Sequence, residues 1–290
     1  MHALDVLAYA KLNLSLDVLE KRPDGYHEMR MVMQTVDLCD WLRLETGTGK
    51  PLSMRSNLGF LPADGRNLAA AEALRLAEDT GADWGGLSIT LDKTIPVCAG
   101  LAGGSADAAA VLRGLNQLAG LHLPPERLEE IGAKVGSDVP YCVRGGTALA
   151  EGRGEVLTDL PPLPSCHVVL CKPAFSVPTP ELFARLDGVR IRRRPDTAGL
   201  LSALAAGDLA GVARRMYNVF EDALPPRRAA EIQRLKTELI QQGAMGACMS
   251  GTGSALFGLF SDGEAAARAR DALALLCPTC FLARPVEKLV

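Results

Sequence analysis

Pro96, Gly100, Gly103 and Gly104 punctuate the first half of TIPVCAGLAGGSADAAAVLRGLNQLAG (Thr94–Gly120), and the second half is built from Ala and Leu, the strongest helix formers. A loop feeding straight into a helix leaves unpaired backbone amides at the helix start, backed by the positive end of the helix dipole. Glycines there let an anion approach the main chain, so the chemistry on offer is the holding of phosphate. The loop is not a Walker A, because no Gly-Lys-Ser/Thr closes it. Nor does Gly100-Leu101-Ala102-Gly103-Gly104 match the GxGxxG dinucleotide fingerprint, and no acidic residue follows at the right distance after a second strand. Standing alone, the loop fits a phosphate cradle and a plain tight strand-to-helix connection equally.

Three further segments carry reactive side chains. In AYAKLNLSLDV, Lys11 and Asn13 fall on one face of a predicted strand, with Leu12 and Leu14 on the other. A single lysine on a strand is ordinarily solvated. In KVGSDVPYCVRGG, Asp138 sits between a glycine and a proline, in a loop that cannot continue the helix before it; an isolated Gly-Ser-Asp ordinarily caps a turn through Ser137 or Asp138. CMSGTGSALFGLF holds a second glycine loop, followed by strand-like alternation rather than a helix, which again argues against a dinucleotide fold.

The elements that must position these residues follow from hydrophobic period. Leu12, Leu14, Leu16 and Val18 alternate as a half-buried strand, Lys21-Arg22-Pro23-Asp24-Gly25 is turn chemistry, and Met29, Met31 and Met33 resume period two, so a hairpin is predicted. Further strands are predicted at Trp41 to Glu45, Leu87 to Leu91, Tyr141 to Val143 and Thr147 to Ala150. Helices are predicted from Asn67 to Asp79, closed by Gly81, and from Pro124-Pro125 to Val135. Leu160-Pro161-Pro162-Leu163-Pro164 is the best linker. Beyond it are predicted a strand at His167 to Leu170, helices between Pro180 and Gln242, strands at Ala247 to Met249 and Ala255 to Phe260, a helix from Glu264 to Leu276 and a last strand near Phe281. Strands and helices alternate in both halves without an internal repeat, which predicts two α/β-type domains meeting near Leu160.

Composition narrows the function classes. With 290 residues and a net charge of −3 the chain is long enough for two cores and carries no nucleic-acid footprint; Arg190 and Arg192-Arg193-Arg194 are predicted to be a solvated loop. Eight cysteines (Cys39, Cys98, Cys142, Cys166, Cys171, Cys248, Cys277, Cys280) in mostly apolar surroundings without repeated spacing read as reduced thiols. Cys277-Pro-Thr-Cys280 has CxxC spacing, but no second ligand pair of cysteine or histidine matches it, so no metal site is expected. The amino terminus lacks a basic region followed by an apolar run, and no segment stays apolar for the roughly 18 residues of a membrane span. A cytosolic protein without membrane contact is expected.

In this order, AKLN, the PxxAGLAGGSADAAA loop, GSDVP and the late SGTGSA loop resemble the galactokinase, homoserine kinase, mevalonate kinase and phosphomevalonate kinase superfamily over roughly the whole chain. Within it, RPDGYHEM, GSDVP, EGRGE and SVPTPELF are similar to the branch that phosphorylates the 2-hydroxyl of a cytidine-diphospho-methylerythritol on the non-mevalonate route to isoprenoid precursors. A homoserine or mevalonate type is the rival enzyme. A catalytically dead nucleotide binder is the rival of another class, and it would need neither Lys11 nor Asp138. The resemblance implies an α+β fold, with a ribosomal-protein-S5-like domain over residues 1–160 and a ferredoxin-like domain over 161–290. It implies ATP with Mg²⁺, lying across Pro96, Val97, Cys98, Ala99, Gly100, Leu101, Ala102, Gly103, Gly104, Ser105 and Ala106. Asp138 matches the catalytic aspartate and Lys11 the active-site lysine. On the acceptor side Asn13 and Asp138 would border the methylerythritol, His27 would hydrogen-bond the cytosine edge, and Tyr26 with Phe183 would sandwich its ring. The chain departs from many relatives at Cys98, Ala99 and Ala102, which stand where glycines are usual, and a left-handed backbone at Cys98 would be strained.

Overall fold

The computed structural model describes residues 2–191 and 193–289; Arg192 of the arginine cluster lies outside them. Two strands of 20 residues each, β1 (His2–Lys21) and β2 (His27–Thr46), form the hairpin on which the first half is built. Gly25 supplies the positive φ of 85° at its turn, and Asp24 Oδ1 accepts from the amide of Tyr26 at 3.1 Å. The two strand segments expected at Met29 and Trp41 are thus one strand. It is long because it serves two neighbours: its Gln34 end pairs with β5 (Thr147–Gly152) and its Trp41 end with β4 (Leu87–Asp92).

Between these lie β3 (Ser53–Ser56), parallel to β4, and α1 (Leu68–Thr80), which Asn67 caps and Gly81 closes with a φ of 70°. After β4 come α2 (Gly103–Leu118), α3 (Pro125–Gly132) and α4 (Val139–Arg144), then β5 and β6 (Val156–Asp159). Tyr141 to Val143, expected as a strand, therefore sit in α4. Pro140 in its first turn and the positive-φ Gly145 after it bound a one-turn helix, and a short apolar run between such signals cannot be told from a strand by period alone.

The second half is a four-stranded antiparallel sheet of order β11-β7-β10-β9, formed by β7 (His167–Cys171), β9 (Gly246–Met249), β10 (Leu256–Phe260) and β11 (Cys280–Ala283). Its helices are α5 (Thr179–Leu186), α6 (Thr197–Ala205), α7 (Leu209–Arg215), α8 (Phe220–Ala223), α9 (Pro226–Gln241) and α10 (Gly263–Ala274). Between α7 and α8 the chain returns to the first sheet as β8 (Tyr217–Asn218), parallel to β1 at Ser15 and Leu16. The last residues return too: Val286 N donates to Thr35 O at 2.9 Å and Leu289 N to Arg144 O at 3.0 Å. Both faces of β1 are consequently buried around its middle, Leu12, Leu14 and Leu16 on one side and Lys11, Asn13, Ser15 and Asp17 on the other. The alternation was legible; the cover over the polar face was not. Among the described residues no helix is long and apolar enough to cross a membrane.

Candidate active site

Three segments far apart in sequence meet on the polar face of β1. The amide of Lys11 donates to Leu101 O at 3.1 Å, fastening the first glycine loop to the strand. Lys11 Nζ, nearly buried, donates to Asn13 Oδ1 at 2.8 Å and lies 3.6 Å from Asp138 Oδ2. Asn13 Oδ1 also accepts from the amide of Gly251 at 2.9 Å, and Asn13 N donates to Ser250 Oγ at 3.2 Å. Ser250 Oγ in turn donates to Gly100 O at 2.9 Å. The two glycine loops are therefore back to back, with Asn13 bonded to one and its neighbour Lys11 to the other. Gly100 has to be glycine for this reason: its φ is +79° and a Cβ would stand 2.1 Å from Ser250 O.

Asp138 precedes α4 and caps none of its amides. Its carboxylate, 31% exposed, faces Lys11 instead, which sets aside the turn-capping alternative. Ser105 approaches the same loop, since a Cβ on Gly136 would meet its Oγ at 3.7 Å. In the glycine loop both Cys98 (φ 53°) and Ala102 (φ 56°) are left-handed, each at a cost of about 1–2 kcal/mol. Strain at Cys98 is thus present. Ala102 turns the chain into α2, whose first amides have no side-chain cap. The other glycines also serve the packing of the loop. A Cβ on Gly103 would come within 3.0 Å of Ile95 and 3.1 Å of Lys93 Nζ, and one on Gly104 within 3.2 Å of Leu68, so they permit close packing beneath the loop.

What lies beneath is an ion cluster that sequence reasoning missed. Lys93 Nζ binds Asp40 Oδ2 and, at 2.8 Å, Asp107 Oδ2, while Asp40 Oδ1 accepts from the amides of Thr94 at 2.6 Å and Ile95 at 2.8 Å. Burial pushes the Asp107 carboxyl up to about 8 against the pull of Lys93, and Asp40 adds to the rise. It ties β2, the loop entrance and α2 together. Its members are 53 and 14 residues apart, and no local pattern announces it.

The structure gathers the hairpin tip and α5, where the acceptor residues were expected. Phe183 stacks on His27 with ring centroids 4.9 Å apart and meets Phe220 edge-on. His27 Nε2 is 2.7 Å from Asp187 Oδ1, and Lys21 Nζ donates to Asp187 Oδ2 at 3.3 Å. The hydrogen bond from His27 holds the Asp187 carboxyl below the usual carboxylate range. Asp187 was missed although it follows Phe183 by four residues, the spacing that brings two side chains to one helical face. Tyr26 is exposed, and the guanidinium of Arg153, from the EGRGE segment, lies 5.1 Å from its ring centroid. Among the described residues no cluster of histidine, cysteine or carboxylate is arranged to hold a metal ion.

This fold, with its glycine loop, buried lysine and facing aspartate, defines a kinase of the GHMP class. The model of the GHMP kinases N terminal domain matches residues 67–146 and that of the GHMP kinases C terminal domain residues 200–279. Homoserine kinase from Cytophaga hutchinsonii shares the fold, at a TM-score of 0.75 and 21% identity over 99% of this chain and 96% of its own. A crystal structure of 4-(cytidine 5'-diphospho)-2C-methyl-D-erythritol kinase is more similar, with a TM-score of 0.81 and 33% identity over 97% of this chain and 99% of that one. The 4-diphosphocytidyl-2-C-methyl-D-erythritol kinase of Geobacillus sp. is 44% identical over 96% of each chain, and that of Lachnospira eligens 42% over 90% of each. The chain belongs to the 4-diphosphocytidyl-2-C-methyl-D-erythritol kinase family, and it is an ATP-dependent small-molecule kinase.

Proposed function

We propose that this chain transfers the terminal phosphoryl group of ATP to the 2-hydroxyl of 4-(cytidine 5'-diphospho)-2-C-methyl-D-erythritol, in the cytosol. The observation that carries the site chemistry is the Lys11 ammonium, held 2.8 Å from Asn13 Oδ1 and 3.6 Å from Asp138 Oδ2 on a strand hydrogen-bonded to the glycine loop. Phosphoryl transfer asks the protein for alignment and for positive charge near developing negative charge. Asp138, open on one side, takes the proton of the attacking hydroxyl, and Lys11 neutralises charge on the reacting groups. Amides from Gly100 to Ser105, within the span from Pro96 to Ala106, hold the phosphates. Mg²⁺ needs few protein oxygens when phosphates and waters complete its shell; Ser105 Oγ, beside the Gly136 turn, would hold it, and it would supply charge neutralisation there. Asn13 borders the methylerythritol through Nδ2, whose partner is the weakly accepting Met31 sulfur at 3.4 Å.

The cytosine is read by stacking on Tyr26 and Phe183 with a hydrogen bond from His27 at its edge; the His27 imidazole, bonded to Asp187, itself stacks on Phe183. The division into domains at residues 160 and 161 belongs to the same proposal and is supported by the two sheets on either side of the Leu160–Pro164 segment, of whose described strands β8 alone crosses to the first. Eight free cysteines fit a reducing cytosol. Coupled measurement of ADP release tests the assignment: the cytidine-diphospho sugar alcohol should support turnover, and mevalonate and homoserine should not. Turnover with either of those and none with the cytidine compound would overturn it.

A further inference from the structure

Three cysteines that the kinase site does not use converge at one edge of the second sheet. Cys171 ends β7 and Cys280 opens β11, directly opposite it in antiparallel register, so both side chains leave the sheet on the same face. Their sulfurs are 3.0 Å apart. Cys277 belongs to the same turn, but its thiol is directed at Thr279 O at 3.7 Å, and it meets Cys280 Sγ through its carbonyl, at 2.9 Å. Residues opposite one another in an antiparallel pair have Cα atoms about 4.5–5.5 Å apart, inside the window of a disulfide, so a bond between Cys171 and Cys280 asks for side-chain rotation and not for backbone movement. All three are free thiols. Cys171 and Cys277 are buried and Cys280 is half-exposed, which makes Cys280 the sulfur that a small reagent can reach.

We infer that Cys171 and Cys280 form a dithiol site that a low-molecular-weight disulfide, of the oxidised-glutathione kind, converts into a cross-strand disulfide stapling β11 to β7. The Cys280 thiolate attacks one glutathione sulfur, giving a mixed disulfide and releasing one glutathione thiolate. The Cys171 thiolate then attacks the Cys280 sulfur and expels the second. In sum, two protein thiols and one glutathione disulfide become one protein disulfide and two glutathione thiols. The Cys171 sulfur and burial push the Cys280 thiol up to about 12, which leaves little of its thiolate at neutral pH. The location gives the bond a structural effect. β11 is held in its sheet by β7 alone, and the chain leaving it is the tail that crosses to Thr35 and Arg144 of the first half. A Cys171–Cys280 bond fixes the root of that tail and closes a loop over a sequence separation of 109 residues.

The test is incubation of the full-length reduced protein with excess oxidised glutathione at pH 8, acid quench, alkylation of remaining thiols and peptide mapping by mass spectrometry. A linked peptide pair containing Cys171 and Cys280 is expected, with Tm raised on the order of 5 °C and turnover unchanged. Cys277→Ala should keep the link and the Tm gain. Cys171→Ala should lose both, and Cys280→Ser, on the half-exposed side, gives the same answer if Cys171→Ala does not fold. A Cys277–Cys280 link, a stable glutathione adduct without a cross-link, or thiols that remain fully alkylatable would each overturn the inference.

Discussion

At the scale of the residue, the proposed function gives three side chains separable roles. Asp138→Asn keeps the size and the α4 entrance and removes the base. It should fold and bind ATP, yet lose on the order of 10²- to 10⁴-fold in kcat; turnover near that of the parent would show that the proton leaves by another route. Lys11→Met removes the charge from a buried position whose partners are Asn13 and Asp138. Its kcat should fall by a larger factor than its KM for ATP rises, whereas a change confined to KM would make Lys11 a ground-state phosphate contact. Phe183→Ala takes away the face of a stacking site and should weaken acceptor binding by roughly ten- to a hundredfold, the worth of one stacked base, while ATP binding stays put. Titration calorimetry of both ligands reads this directly. Equal loss of the two would mean that the Phe183–Phe220 contact supports the fold rather than the base.

At the scale of the element, sequence and structure agree where period decides and part where tertiary cover decides. Lys11, Asn13 and Asp138 came forward through the family resemblance, because taken singly a strand lysine is ordinarily solvated and a Gly-Ser-Asp ordinarily caps a turn. That the face of β1 bearing Lys11 is buried could not be read, because the second half covering it is some 200 residues away (β8 meets β1 at Ser15 and Leu16). The ion cluster of Asp40, Lys93 and Asp107 stayed hidden for the same reason: each residue taken singly looks like an ordinary surface charge. α1 holds another such case. Glu72 is fully buried with neither carboxyl oxygen hydrogen-bonded, and desolvation pushes it up to about 8 from 4.5. Between those values the unfolded chain has released the proton that the folded chain keeps. The contribution of Glu72 to stability is thus fully present below about pH 4.5 and is lost as pH rises towards 8. Glu72→Gln should leave stability unchanged at pH 4 and increase it at pH 8 by on the order of 2–4 kcal/mol, as measured by urea unfolding at both values. An equal effect at the two pH values would show the carboxylate to be solvated.

At the scale of the whole molecule, the halves are joined at more places than the Leu160–Pro164 segment. Among the described residues the terminal ones make six hydrogen bonds to the first half: Arg284 exchanges two with Asp37 at 2.9 and 2.7 Å, Val286 makes two, with Thr35 at 2.9 Å and Gln34 at 3.0 Å, Lys288 one with Asp159 at 2.7 Å, and Leu289 one with Arg144 at 3.0 Å. Removing residues 284–290 should cost on the order of 3–5 kcal/mol, at about 0.5–1.5 kcal/mol per bond, and thermal unfolding with and without the tail measures it; an unchanged Tm would make the tail ornamental. The seam between the glycine loops has a consequence of another kind. Gly100 and Ser250 touch so closely that neither loop keeps its shape without the other's backbone, and Asn13 is hydrogen-bonded to Ser250 and Gly251. The proposed phosphate cradle is therefore a joint possession of two stretches of chain about 150 residues apart. Hybrids that take their first half from one relative and their second from another should fold as two sound halves and still fail as catalysts, unless both loops descend from the same parent.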